Sequence, residues 1–199
     1  MGYKAERMTK VYTAPVSEGL QEAEVFVLVD LGIIGYLWNM KAKTKLLFVC
    51  LGNICRSPAA EGILKNMAKE RGLDNEIEVD SAGTYGGHAG ELPDRRMRVH
   101  AANRGYQLTH RSRPVKVSDF DDFDLIIAMD DNNYQTLRRL CPDVENMDKI
   151  VRMRDFIHNF HRYDYVPDPY YEGSEGFELV LDMLEEGCKY LLDRIENKE

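Results

Sequence analysis

Short apolar runs alternate with amphipathic segments from residue 45 to the end of the chain. The runs at residues 46–49 and 125–129 are continuous, which is typical of strands that are covered on both faces. Shorter runs predict two further strands, at residues 77–81 and 149–151. The spacing between these runs leaves room for a helix after each of the first three strands.

Apolar residues at helical spacing predict those helices and a final one. The predicted helices cover residues 57–72, 93–105, 132–140 and 174–195. In the first helix, Ser57 and Pro58 suit the opening positions and Glu61 would complete most of a capping box. Strands that alternate with helices predict an α/β fold with a parallel sheet.

The N-terminal segment follows a different pattern. Residues 25–39 form an apolar run that Asp30 interrupts, and a membrane-spanning helix needs about 20 predominantly apolar residues, so no span is predicted. Acidic residues before the run do not fit a secretory signal either. Residues 1–44 could add a strand or helix to the domain, bind a partner, or reflect a start site placed upstream of Met40. We expect a peripheral extension without a catalytic role. The folded domain is expected at residues 45–197.

Net charge and cysteine content restrict the function further. A net charge of -8 disfavours a general nucleic-acid-binding surface, so an anionic substrate would need a local positive site. Four cysteines without a dense framework indicate reduced thiols and a cytoplasmic protein. Because no Cys-x-x-Cys pair is present and the histidines are not at zinc-ligand spacing near the cysteines, we expect no structural metal site.

The candidate chemistry lies in the loop Cys50-Leu-Gly-Asn-Ile-Cys-Arg-Ser57, between the first strand and the first helix. Backbone N–H groups of such a loop curl around an anion, and the following helix adds positive potential at its N-terminus. Gly52 permits a backbone conformation that a Cβ atom would oppose, and Asn53 tolerates left-handed geometry. Arg56 supplies a planar fork that matches two phosphate oxygens. The loop therefore predicts a phosphate cradle.

Cys50 at the base of this cradle is a candidate nucleophile. Positive surroundings favour a thiolate, and a thiolate beneath a bound phosphoryl group is placed for in-line attack. A cysteine at a strand end, taken alone, would more often be a buried apolar side chain. The glycine, asparagine, arginine and serine that follow in register favour the nucleophile. A nucleotide-binding P-loop is excluded, because GxxxxGK followed by serine or threonine is absent.

A second candidate lies in the long, aromatic and proline-rich segment of residues 152–173. Loops of this length inside a compact domain are more often functional than idle. Within it, Pro167 and Pro169 stiffen the backbone around Asp168. Phosphoryl transfer needs a general acid for the leaving oxygen, and Asp168 is predicted to be that acid.

From residue 45 to about residue 194 the chain resembles the low-molecular-weight protein tyrosine phosphatase family. The most specific matches are residues 49–58, 80–84 and 168–171. The resemblance implies a flavodoxin-like, three-layer α/β fold with a four-stranded parallel sheet flanked by helices, the phosphatase I fold. It also implies a two-step reaction without a metal or cofactor.

The resemblance also implies roles for the matching residues. Cys50 would take the phosphoryl group, Arg56 would hold its oxygens, and Asp168 would act first as acid and then as base. Ser57 would hydrogen-bond the cysteine sulfur and ease its departure. The residues implied to bind phosphate or support the loop are Leu51, Gly52, Asn53, Ile54, Cys55, Ser57, Ser81 and His110.

Aromatic side chains are implied to hold the substrate ring. Tyr170 and Tyr171 resemble the aromatic wall of the family. Leu51 and Ile54 would provide apolar contacts on the opposite side of the ring. Tyr85 lies in the glycine-rich loop that adds another wall.

Cys55 is the second informative thiol in the loop. It lies five residues from Cys50, close enough in sequence for a reversible disulfide. The resemblance implies that such a bond protects the nucleophile from over-oxidation. The alternative is a thiol that serves packing alone.

Three other activities share parts of this pattern. A thioredoxin-coupled arsenate reductase also uses Cys-x5-Arg, but it passes oxidation to further cysteines after the third strand, where Cys141 is the one candidate. A protein arginine phosphatase carries a small threonine-type residue at the position of Ile54, so isoleucine favours tyrosine. A phosphotyrosine-binding module has no need of the cysteine and the acid together.

The expected partner is a phosphotyrosine-containing protein substrate, with a tyrosine kinase as a candidate. No nucleic-acid partner is expected. The chain is expected to be a monomer or a weak dimer.

Overall fold

The computed structural model describes residues 43–197. The expectation for residues 1–44 therefore lies, apart from Lys43 and Thr44, outside the described part of the chain.

Four parallel strands form one sheet in the described region. The strands are β1 Thr44–Cys50, β2 Ile77–Gly83, β3 Leu125–Ala128 and β4 Ile150–Arg152. Their order across the sheet is β2-β1-β3-β4. In this register Phe48 lies between Ser81 of β2 and Ile127 of β3. The predicted α/β fold with a parallel sheet is confirmed.

Five α-helices accompany these strands in residues 43–197. They are α1 Arg56–Glu70, α2 Arg95–Asn103, α3 Asp119–Asp122, α4 Asp131–Leu140 and α5 Ser174–Asn197. Short 3₁₀ helices cover Val144–Lys149, Met153–Phe156 and Pro169–Tyr171. Among the described residues, none of the helices has the length and hydropathy that a membrane span requires.

The sheet separates two apolar core clusters, which gives three layers. Leu46 and Phe48 of β1 belong to one cluster, whereas Leu47 and Val49 belong to the other. Successive side chains of a strand alternate between its faces. The first cluster includes apolar side chains of α1 and α5, and the second includes those of α3 and α4. Both faces of β1 are therefore covered, which explains its continuous apolar run.

The strand order reverses between β1 and β3. β2 lies on one side of β1, while β3 and β4 lie on the other. Sheets of this kind bind ligands beyond the carboxyl ends of their strands at such a point. Cys50 is the last residue of β1, so the fold places the predicted cradle where a ligand site is expected.

Candidate active site

Asn53 and two glycines shape the loop between β1 and α1. Asn53 has a φ of 55°, in the left-handed region that asparagine tolerates. The backbone reason predicted for Gly52 is wrong, because its φ is not positive; a Cβ there would instead lie 3.2 Å from Cδ2 of His88. At the end of β2, a Cβ on Gly83 would lie 2.7 Å from the carbonyl oxygen of Leu51. Both glycines thus allow neighbouring segments to approach the loop closely.

Cys50 lies at the base of this loop and is 2% exposed. Its Sγ is 3.1 Å from the hydroxyl of Ser57 and accepts a hydrogen bond from the backbone N–H of Asn53 at 3.3 Å. Hydrogen bonds of this kind are stronger when the acceptor is charged. Both groups can act as donors to a sulfur at this position.

Ser57 and Glu61 do not cap α1, contrary to the prediction. The helix begins at Arg56, and its N-cap is Cys55, which makes no side-chain capping bond. Ser57 Oγ instead faces Cys50 and the carbonyl oxygen of Ala82. The sequence predicts a cap here, but these two polar side chains make tertiary contacts instead of bonding to the helix end.

Arg56 is 2% exposed and lies between two carboxylates. Nη1 donates to Asp130 at 2.6 Å and to the carbonyl oxygen of Val166 at 3.2 Å, and Nη2 donates to Asp168 at 2.7 Å. Burial alone would lower the pKa of Arg56, but the negative charges of Cys50, Asp168 and Asp130 raise it. Nε is buried without a hydrogen-bond partner among the described residues. A buried donor of this kind is expected at an anion site.

Asp168 contacts the same site, although it lies 112 residues after Arg56 in the chain. Its Oδ1 accepts a hydrogen bond from the backbone N–H of Tyr170 at 3.2 Å, which caps the 3₁₀ helix Pro169–Tyr171. Its Oδ2 contacts Arg56, and its side chain is 41% exposed. The backbone contact fixes the carboxyl group, while its exposure leaves it open to a proton transfer.

A buried hydrogen-bond network lies behind the loop. The side-chain amide of Asn53 donates to Ser57 Oγ at 3.0 Å and to Ser81 Oγ at 2.9 Å, and its Oδ1 is 3.0 Å from Nε2 of His110. Glu61 Oε2 accepts from Ser81 Oγ at 2.7 Å and lies 3.0 Å from Nδ1 of His110. The network holds Asn53 in its left-handed conformation.

A cavity of about 250 Å³ opens above the loop. It is lined by Cys50, Leu51, Gly52, Ile54, Cys55, Arg56, Tyr85, His88, Asp168, Tyr170 and Tyr171. The structure thus brings together the predicted catalytic residues and the predicted ring contacts. The remaining predicted residues do not line the cavity but form the network behind it; these are Asn53, Ser57, Ser81 and His110.

Comparison with known proteins identifies the family. The family model described as "Low molecular weight phosphotyrosine protein phosphatase" matches residues 45–199. The chain belongs to this family. The low molecular weight protein-tyrosine-phosphatase YfkJ of Bacillus subtilis is 41% identical over 155 residues, which cover 77% of this chain and 97% of that protein.

Solved structures show the same family fold. A protein tyrosine phosphatase from Entamoeba histolytica, crystallised with Hepes in its active site, is 47% identical with a TM-score of 0.76. The match covers 78% of this chain and 99% of that one. An arginine phosphatase from Drosophila is 33% identical with a TM-score of 0.71, over 76% of this chain and 98% of that one.

Three residues of this family site are not identified by the sequence reasoning. Asp130 follows β3, whose end lies beside that of β1, so the sheet order could have indicated it. The sequence predicts a capping role for Glu61, but Glu61 instead joins the buried network. His88 lies in a glycine-rich segment without periodicity, and no sequence signal places it at the cavity.

The other cysteines differ in their positions. Cys55 is 3% exposed, and burial, together with the charges of nearby acidic groups, raises the pKa of its thiol well above the usual range. Cys188 is buried in α5. Cys141 donates to the carbonyl oxygen of Asp143 and does not line the cavity, so it is not placed as a redox partner there.

Proposed function

We propose that this chain hydrolyses phosphotyrosine in phosphoproteins, with Cys50 as the nucleophile. One observation supports this most strongly: a single cavity is lined by the thiol, by Asp168 and by Arg56, whose Nε has no partner in residues 43–197. Membership of the phosphatase family supports the same reaction.

In the first step the Cys50 thiolate attacks phosphorus. The S–P bond forms while the bond between phosphorus and the tyrosine oxygen breaks. The loop N–H groups and Arg56 stabilise the charge on the remaining phosphoryl oxygens. Asp168 donates its proton to the leaving oxygen, so that neutral tyrosine departs.

In the second step water hydrolyses the phosphocysteine. Asp168, now a carboxylate, accepts a proton from the water as its oxygen bonds to phosphorus. The S–P bond breaks, and Cys50 leaves as a thiolate that faces the hydroxyl of Ser57 at 3.1 Å. Inorganic phosphate is the second product.

Aromatic and apolar side chains around the cavity support an aryl phosphate as substrate. Leu51, Tyr85, Tyr170 and Tyr171 line it and are exposed. A group of exposed apolar side chains is typical of a binding surface. Tyr170 and Tyr171 meet edge to face with their ring centroids 5.0 Å apart, which gives the proposed wall two ring surfaces.

Hydrolysis of phosphoarginine is the second candidate, because the Drosophila arginine phosphatase shares the fold. Ile54 lines the cavity and is 9% exposed. An apolar contact of this kind suits a neutral ring better than a polar guanidinium group, which would lose hydration without a hydrogen-bond partner. We therefore favour phosphotyrosine.

We further propose that Cys55 makes the site redox-sensitive. Peroxide would oxidise the Cys50 thiolate to a sulfenic acid, and the Cys55 thiol would attack that sulfur, form a disulfide and release water. The raised pKa of Cys55 keeps it protonated near neutral pH, which slows this step. A cellular thiol would reduce the disulfide, so we propose a cytoplasmic location.

We propose residues 45–197 as the catalytic domain, in line with the span of the family match. We propose that the chain acts as a monomer or a weak dimer. A phosphotyrosine-containing protein is the proposed partner, with a tyrosine kinase as one candidate.

Phosphate release from phosphotyrosine, phosphoserine and phosphoarginine peptides tests this proposal. We expect kcat/KM for phosphotyrosine to exceed the other two by about 10²-fold or more, because only that substrate fits the aromatic walls. Cys50→Ser is the control and should abolish turnover while inorganic phosphate still binds.

Three outcomes would contradict the proposal. Faster hydrolysis of phosphoarginine would favour the second candidate. Turnover by the Cys50→Ser variant would show that Cys50 is not the nucleophile. Consumption of thioredoxin equivalents with arsenate, without phosphate release from any peptide, would favour an arsenate reductase.

A further inference from the structure

Arg96 lies at the edge of the candidate site and is not among the residues assigned to it above. It is the second residue of α2, two positions after the N-cap residue Asp94. Its Nε and Nη2 donate to the two carboxylate oxygens of Asp94 at 3.1 and 2.9 Å. Bidentate pairs of this kind fix the plane of the guanidinium group.

Asp94 in turn is bonded to the phosphate-binding loop. Its backbone N–H donates to the carbonyl oxygen of Ile54 at 2.7 Å. The hydrogen bonds from Arg96 lower the pKa of Asp94, so the pair stays charged at neutral pH. The position of the Arg96 guanidinium is therefore tied to the backbone of the loop.

The other contacts of Arg96 are with aromatic rings. Its Cζ lies 5.2 Å from the ring centroid of Tyr170 and 4.9 Å from that of Phe177. Phe177 is 1% exposed and stacks on His100. Tyr170 is 37% exposed, so Arg96 joins a fixed ring in the core to an exposed ring at the cavity.

We propose that Arg96 is a positioning residue that fastens the aromatic wall to the phosphate-binding loop and so gives the site its preference for aryl phosphates. Tyr170 belongs to a 3₁₀ helix of only three residues, Pro169–Tyr171. Such short helices have weak hydrogen-bond geometry, so a contact outside the helix helps to hold the ring of Tyr170 in place. The cation–π contact with Arg96 supplies it.

This role of Arg96 rests on the proposed function. It separates binding of the substrate's phosphoryl group from binding of its aromatic ring. The loop and Arg56 bind the phosphoryl group, whereas Tyr170 meets the ring. Arg96 has no contact with Cys50 or Arg56 among the described hydrogen bonds and ion pairs. Loss of Arg96 should therefore weaken binding of the ring and leave binding of phosphate alone nearly unchanged.

Calorimetric titration of the full chain with phenylphosphonate and with inorganic phosphate tests this inference. Phenylphosphonate carries a ring and cannot be hydrolysed, so the measurement does not depend on turnover. We expect Arg96→Gln to raise the Kd of phenylphosphonate about five- to tenfold and to change that of phosphate by less than about twofold. Arg96→Lys should recover part of the loss, because it keeps a cation but not the fork.

Arg95→Gln is the matched control for charge. The neighbouring Arg95 is exposed, and its side chain forms no hydrogen bond or ion pair with the rest of residues 43–197. The Arg95→Gln substitution removes the same charge from the same turn of the helix. The Kd values of phenylphosphonate and of phosphate should therefore stay near those of the unmodified protein.

A double-mutant cycle with Tyr170→Leu separates positioning from general damage. If Arg96 acts through Tyr170, the double variant should bind phenylphosphonate about as weakly as Tyr170→Leu alone. Additive losses, or a loss of phosphate binding equal to that of phenylphosphonate, would overturn the inference. Failure of the unmodified protein to hydrolyse phosphotyrosine would instead count against the proposed function, and the two titrations would still decide the role of Arg96.

Discussion

Among single side chains, Arg56 is central to the proposed phosphate site. Asp130 and the carbonyl oxygen of Val166 hold Nη1, and neither residue lines the cavity. The opposite edge of the guanidinium carries Nε and Nη2, the two donors that form a fork for phosphate oxygens. Nη2 contacts Asp168 at 2.7 Å, so the same edge also lies beside the proposed acid.

Asp168→Asn tests the proposed acid with little change in shape. We expect kcat for phosphotyrosine to fall by about 10²–10⁴, since the leaving oxygen would depart without a proton. The rate of the first step with 4-nitrophenyl phosphate should fall by a smaller factor, because nitrophenolate is a better leaving group. Rapid-mixing measurement of the nitrophenol burst checks this difference. An equal loss for both substrates would mean that Asp168 serves binding rather than proton transfer.

Among the secondary-structure elements, α1 and β2 are joined beneath the loop by Glu61. Its carboxylate accepts from Ser81 of β2, pairs with His110, and also contacts Lys65. Burial raises the pKa of Glu61, but the hydrogen bond and charge of His110, together with Lys65, lower it below its usual value of 4.5. The ionised carboxylate thus stabilises the folded state.

The pH dependence of stability tests this link. A lowered pKa means that the contribution of Glu61 is present above about pH 4.5 and is lost as the pH falls further. We expect Glu61→Gln to reduce the free energy of unfolding by about 1–3 kcal/mol at pH 7. Its stability should then fall less steeply than that of the unmodified protein as the pH drops below 4.5, which denaturant titrations would show. Glu78→Gln, at an exposed position of β2, is the control.

Strands and helices with a regular spacing of apolar residues were predictable from the sequence, and elements without such a spacing were not. All four strands and the four longer helices follow from apolar runs and helical spacing, because burial against the sheet requires that pattern. The helix Asp119–Asp122 has only four residues, too few for a periodicity to show. The predicted cap of α1 was wrong, because Ser57 contacts Cys50 and Glu61 joins the buried hydrogen-bond network instead of the helix end.

Across the domain, the candidate site combines local and distant residues. The spacing of Cys50 and Arg56 is set by one loop, so sequence alone could indicate both. Asp130 lies 74 residues from Arg56, and its contact depends on how β1 and β3 pair. His88 enters the cavity through packing of a glycine-rich segment, which leaves no signal in the sequence.

The distribution of charge in the domain explains how an acidic chain can bind an anionic substrate. The net charge is -8, yet the loop amides, the N-terminus of α1 and the buried Arg56 concentrate positive potential at one cavity. The sulfur of Cys50 forms the floor of this cavity. The central claim is that this sulfur carries the phosphoryl group between the two steps of the reaction.

Mass spectrometry of an acid-quenched reaction tests that claim most directly. The Asp168→Asn protein with 4-nitrophenyl phosphate is suited to it, because the first step needs the acid least and the second step lacks its base. We predict that the proteolytic peptide containing Cys50 gains one phosphoryl group, approaching about one per chain. A phosphoryl group on another residue, or steady turnover with no labelled peptide, would contradict the account.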